Sequence, residues 1–168
     1  MSSPRTIVVD TSGLVTLSIA DVLPLVLEEY DVHTTATVLE ELEATAAYED
    51  THATAARTAL SHVEHLTVHE GYGGTVHSSR VDAGEGSCAM LARDLEAAVL
   101  ITDDLRAMPE LKTLTTGEVT ISAMLLAALV RRGVLERDDA RARLDRIADG
   151  RDWLEAPISR RMRRLFDE

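Results

Sequence analysis

Five acidic side chains stand where strands and helices are expected to begin or end: Asp10, Glu41, Glu85, Asp103 and Asp104. Carboxylates drawn from distant parts of a chain repel one another and raise one another's pKa unless a cation neutralises them. An all-oxygen donor set suits a hard ion such as Mg²⁺, Mn²⁺ or Ca²⁺. Such an ion can orient and deprotonate a water for attack on a phosphodiester, and can stabilise the charge that develops. Thr11, Ser12 and Thr102 lie beside these acids. Their hydroxyls can orient the carboxylates or serve as helix caps.

Each acid also has a plainer structural role open to it. Asp10, followed by Thr-Ser, can cap a helix. Asp82 with Glu85 three residues on fits a capping box with Asp in place of Ser or Thr. Glu40, Glu41 and Glu43 can form a solvated helix face, and Asp103 with Asp104 can supply an N-cap and a first-turn acid favoured by the helix dipole.

The elements that must position these residues follow from periodicity. Residues 6–9 are a β-branched run suited to a buried parallel strand that ends at Asp10. One or two short helices follow, with a break near Asp21 and Pro24. Residues 30–33 form a second strand, and Thr34 or Thr35 caps a helix carrying Val38, Leu39 and Leu42. A helix over 51–64 leads to a strand at 66–68. A glycine- and serine-containing loop covers 71–81. A helix after Asp82 carries Cys88, Leu91, Ala92 and Leu95, and residues 98–102 are a second buried strand ending at Asp103-Asp104. A helix running to about Leu111 is expected to stop near Pro109, with a last short strand at 112–115. A strongly apolar helix then spans 119–132 and ends at Gly133, with Asp138 or Asp139 capping another to about Ala148. A final Arg-rich helix follows Pro157. Strands alternating with helices predict a three-layer α/β/α fold around a parallel sheet of four to five strands. In such a sheet ligands bind beyond the carboxyl ends of the strands, where Asp10, Asp103 and Asp104 fall.

A chain of 168 residues with 45% apolar content is long enough for one α/β core, so residues 1–168 read as a single domain with 119–168 as a helical, Arg-rich extension. Aromatics are only 3%, which argues against a base-stacking platform. The net charge of −12 is uneven: residues 1–120 hold 6 basic and 20 acidic side chains, residues 121–168 hold 11 and 9. The tail arginines Arg160, Arg161, Arg163 and Arg164 are therefore the expected surface for a polyanion, since Arg binds phosphate bidentately. Acidic excess with a single lysine, Lys112, resembles the composition of proteins from salt-adapted archaea. One cysteine excludes an intrachain disulfide and a Cys-based zinc site. His62 and His65 could share a helix face but lack a third ligand at metal spacing. The apolar stretch 6–9 is too short for a signal or membrane span, so a cytoplasmic protein is expected.

At the acidic residues the chain resembles a PIN domain, the nuclease fold of VapC-type toxins. Ile7-Val-Val-Asp10-Thr-Ser-Gly-Leu14 matches the opening strand and Asp. Thr37-Val-Leu-Glu-Glu41-Leu42 matches the second motif and picks out Glu41. Gly84-Glu85-Gly-Ser-Cys-Ala89-Met-Leu91-Ala92 resembles the third motif of a subgroup that has Glu where other PIN domains have Asp. Val99-Leu-Ile-Thr102-Asp103-Asp104 resembles the fourth and favours Asp104, with Asp103 beside it. The helix from Thr120 to Gly133 resembles the subgroup's tail, without its glycines. The resemblance implies a Mg²⁺- or Mn²⁺-dependent ribonuclease whose catalytic carboxylates are Asp10, Glu41, Glu85 and Asp104, with Asp103 also near the metal. It further implies RNA as substrate, a homodimer and an antitoxin partner. The rival expectation is a catalytically silent PIN fold that binds RNA or protein. A response-regulator-like phosphoacceptor would need a lysine near the late strand, which Lys112 does not supply.

Overall fold

The computed structural model describes residues 4–73, 76, 78–150, 160, 162–164 and 166. In chain order the elements are β1 (Thr6–Val9), α1 (Thr11–Ile19), α2 (Leu23–Glu29), β2 (Asp31–Thr35), α3 (Ala36–Ala46), α4 (Thr51–Ser61), β3 (Thr67–His69), α5 (Ala83–Leu95), β4 (Val99–Ile101), α6 (Met108–Leu114), β5 (Glu118–Thr120), α7 (Ala123–Arg131) and α8 (Arg137–Gly150). A 3-10 turn at Val63–His65 lies between α4 and β3.

The five strands form one parallel sheet in the order β3-β2-β1-β4-β5. β1 and β4 lie inside it, which is why Ile7, Val8, Val9, Leu100 and Ile101 are almost wholly buried and why these strands read as unbroken apolar runs. α5 crosses β1, β2 and β4, with α6 beside it, while α1 packs with α3, α4 and α8. The result is three layers. Leu14, Leu17, Cys88, Leu91, Leu126 and Leu129 fill the space between sheet and helices, each large aliphatic side chain contributing about 2 kcal/mol by leaving water.

From β1 the chain steps outward through β2 to β3, then crosses back to β4. The β1/β4 boundary is thus where the strand order reverses, and a crevice opens beyond the ends of these two strands. Their register sets Val9 against Ile101, so Asp10 and Thr102 emerge side by side, and the Asp10 N–H donates to the Ile101 carbonyl at 3.1 Å.

Several expected boundaries move. Pro109 lies in the first turn of α6 and starts that helix, because the N–H it lacks has no intrahelical acceptor there. Lys112, Thr113 and Leu114 belong to α6, so the last strand is not at 112–115 but at Glu118–Thr120, where Val119 pairs with Leu100. Val119 and Thr120 therefore stand in the sheet, and the apolar helix begins only at Ala123. The last turn expected of the helix over 51–64 is the 3-10 segment. Asp138 and Asp139 lie within the first turn of α8 and do not precede it. The break expected near Asp21 is real: Asp21 has a φ of 54°, and α2 starts with Pro24 in its first turn. Gly133 follows α7 with a φ of 76°, the left-handed cap position that glycine adopts without a Cβ penalty. Of the Arg-rich tail, Arg160 and residues 162–164 are helical, and Met162 and Phe166 are buried. Arg161, like Trp153 and Pro157, lies outside the described residues.

Candidate metal centre

Four of the acids are placed through helix starts. Asp10 is the N-cap of α1: its Oδ1 accepts from the Gly13 N–H and the Ser12 hydroxyl, both at 2.8 Å. Asp82 is the N-cap of α5 and accepts from the Glu85 N–H at 2.8 Å, which puts Glu85 in the first turn of that helix. Asp104 caps the turn leading into α6, its Oδ1 accepting from the N–H groups of Arg106 at 2.9 Å and Ala107 at 3.2 Å. The capping roles weighed from the sequence are thus observed for Asp10, Asp82 and Asp104. One oxygen of each cap is spent on backbone, which fixes the carboxylate; at Asp10 the other is buried with no hydrogen-bond partner.

Glu41 comes from α3. Its neighbours Glu40 and Glu43 are exposed, whereas Glu41 is half-buried. The Thr11 hydroxyl donates to Glu41 Oε1, and the Gly84 N–H also donates to this carboxylate. Gly84 is required for this: a Cβ there would lie 2.0 Å from Glu41 Oε1. The glycine of the Gly84-Glu85 pair is therefore the seat of the second acid.

These residues line one cleft of about 670 Å³, with Asp10, Glu41, Asp82, Glu85, Asp103 and Asp104 all on its wall. Burial pushes the Asp10 carboxyl up to about 7, with the Asp103 charge adding to it, despite the opposing hydrogen bonds from Thr102, Gly13 and Ser12. Glu85, 7% exposed, is pushed up to about 10, first by burial and then by the neighbouring Asp82 and Asp104 carboxyls. Burial and Asp82 raise Glu41 as well. Asp10 Oδ2 and Glu85 Oε2 are buried with no hydrogen-bond partner. A buried carboxylate oxygen left unpaired is costly, and a cation is the partner that relieves several such oxygens together.

Asp103 differs from the other four. Its Oδ1 accepts from the Ser122 N–H at 2.8 Å and its Oδ2 from the Ser122 hydroxyl at 2.7 Å. These bonds tie the end of β4 to the start of α7, while Asp103 also stands on the wall of the cleft. Ser12 completes the frame, donating to Asp10 and accepting from the Asp103 N–H at 2.9 Å, with Thr102 Oγ1 3.5 Å away. Asp82 is the acid that the sequence reading missed as a member of the site. It was visible only as half of a capping box, and nothing in that pattern signals that it faces Glu85 and Glu41 across a cleft.

A family model described as a PIN domain matches residues 6–168. The chain belongs to the PIN domain family. PIN domains have a nuclease-type fold and generally use divalent metals. No curated protein matches the chain. Among the described residues of this PIN domain, no three acidic, histidine or cysteine side chains form a ready-made coordination group. The Asp82 and Asp104 carboxyls crowd Glu85 and favour its protonated form. The donor set nevertheless fits a hard divalent ion: oxygen only, raised proton affinity, and two orphaned buried oxygens on the same wall. His62 and His65 lie on the 3-10 side of the fold with ring centroids 6.5 Å apart. No single helix among the described residues is long and apolar enough to cross a membrane.

Proposed function

We propose that this PIN domain is a metal-dependent endoribonuclease, with Asp10, Glu41, Glu85 and Asp104 as the residues that hold Mg²⁺ or Mn²⁺. The observation that carries this is the pair of buried, unpartnered carboxylate oxygens, Asp10 Oδ2 and Glu85 Oε2, on the wall of one cleft. A bound ion would supply polarisation of a water and offset the charge that develops on the phosphate. The chain's own groups prepare for this. Ser12 and the Gly13 N–H keep Asp10 from rotating, Thr11 and the Gly84 N–H hold Glu41, and the Arg106 and Ala107 N–H groups hold Asp104.

The test is Mn²⁺-dependent cleavage of a single-stranded RNA by wild type and by Asp10→Asn. Cleavage by wild type that falls at least a hundredfold in the variant supports the proposal; equal cleavage by both ends it. RNA binding without turnover by wild type would leave the silent binding module. The VapC-like toxin role, with an antitoxin and a homodimer, belongs to the same proposal. It is checked by the solution mass of the chain alone and with the product of a neighbouring small gene.

A further inference from the structure

A cleft walled by six carboxylates repels a phosphodiester backbone, so RNA needs cations at its edge even after metal has neutralised part of the charge. Beside the main cleft, and sharing Asp82, Glu85, Asp104 and Arg106 with it, is a smaller depression of about 170 Å³ that also carries Ser78 and Arg80. Residues 1–120 contain only six basic side chains, and two of them, Arg80 and Arg106, are here. Both are exposed, and among the described residues neither side chain is engaged in an ion pair or hydrogen bond. Arg132, Arg143 and Arg163, by contrast, pair with Glu29, Asp139 and Asp145. Two guanidiniums left uncommitted beside an acidic cluster are available to an incoming anion.

Their backbones are also held relative to each other. Asp104 accepts from the Arg106 N–H and caps the turn into α6. The Ser78 hydroxyl accepts from the N–H groups of Arg80 and Val81, both at 3.2 Å, and donates to Glu110 of α6. The Arg80 turn and the Arg106 turn are thereby tied to the same short helix.

We propose that Arg80 and Arg106 grip the RNA phosphate adjacent to the one placed over the acids. The inference rests on the reading of the cleft as an RNA site. Guanidinium suits the task because it stays charged and donates in a planar fork to two phosphate oxygens. Gripping through phosphates needs no aromatic platform, which suits a chain with 3% aromatic residues.

The test is binding of a fluorescent single-stranded RNA by the full chain with Ca²⁺ in place of Mn²⁺. Arg80→Ala and Arg106→Ala are each expected to weaken binding about tenfold, as loss of a charge-assisted phosphate contact does, and to lower the salt slope by about 0.7 per contact. Arg93→Ala, which removes the same charge from the far end of α5, serves as the reference. Arg80→Lys and Arg106→Lys, which keep the charge, guard against a folding effect and are expected to recover part of the affinity. If the alanine variants bind as the reference does, or if Arg160→Ala with Arg164→Ala costs more than both rim substitutions together, the inference is overturned. In wild type with Mn²⁺, cleavage that survives loss of both rim arginines overturns the inference but leaves the nuclease reading standing. Absence of cleavage by wild type overturns the nuclease reading, and the binding series still decides the arginines.

Discussion

Replacing Asp10 with Asn separates the cost of a buried charge from its use. Asn keeps an oxygen in the place of Oδ1, where it can still accept from the Gly13 N–H and the Ser12 hydroxyl. What it removes is ionisation, and it puts an amide nitrogen where Oδ2 now lacks a partner. Burial moves the Asp10 carboxyl from 3.8 to about 7. Because the folded state holds this proton more tightly than the unfolded chain, the group's contribution to stability is full below pH 3.8 and is lost as pH rises to about 7. Near pH 8 the folded protein bears nearly the whole penalty, about 4 kcal/mol at most; near pH 5 it bears about 1.5 kcal/mol. The misplaced amide costs a further 1–3 kcal/mol or so, but that cost does not vary with pH. The pH dependence of the difference is therefore the clean quantity. Urea unfolding in metal-free buffer is expected to show the variant gaining about 2–3 kcal/mol on wild type between about pH 5 and about pH 8. Adding Mn²⁺ near pH 8 is expected to restore stability to wild type far more than to the variant, since the ion binds only the folded site. A wild-type-to-variant difference that stays constant across this pH range would refute the account of Asp10, and equal stabilisation of both by Mn²⁺ would refute its place among the ligands.

Two further substitutions probe the frame. Gly84→Ala is expected to leave stability within about 1 kcal/mol, because alanine favours the helix and the clash at 2.0 Å is with the end of the flexible Glu41 side chain, yet to lower Mn²⁺-dependent cleavage at least tenfold by displacing that carboxylate. Gly86→Ala, whose Cβ would lie 1.9 Å from the Val76 carbonyl oxygen, pushes on backbone and is expected to cost about 2 kcal/mol in urea unfolding; equal effects at both glycines would contradict this distinction. Ser122→Ala removes one of the donors to the buried Asp103 and is expected to cost about 2 kcal/mol while changing the Mn²⁺ requirement for cleavage little. A large shift in metal affinity would count Asp103 among the ligands.

Most of the fold was legible in the sequence because buried parallel strands are short β-branched runs and the long helices carry clear apolar faces. Residues 6–9 and 98–102 identified two of the three inner strands, and the pattern of alternation identified the layers. The misplaced strand at 112–115 has a local cause: its β-branched threonines mimic a strand, and Pro109 looks like a helix end when it is a helix start. Val119 carries no signal that separates a three-residue strand from the apolar helix beside it; only pairing with Leu100 does. The family motifs marked Asp10, Glu41, Glu85 and Asp104 but could not tell which oxygens would be spent on capping and which would be left over.

By itself the sequence determined which residue types were available: carboxylates at element ends, hydroxyls beside them, and few cations near them. Those facts are local and survive without coordinates. Tertiary structure decided the rest, because parallel pairing of β1 with β4 and the crossing of α5 over both bring Asp10, Glu85 and Asp104 to one wall. The same packing turns Asp103 toward Ser122 and sets Arg80 and Arg106 beside the acids. Direction and burial of a side chain belong to the packed state, and it is burial that turns an ordinary aspartate into one that holds its proton to about pH 7.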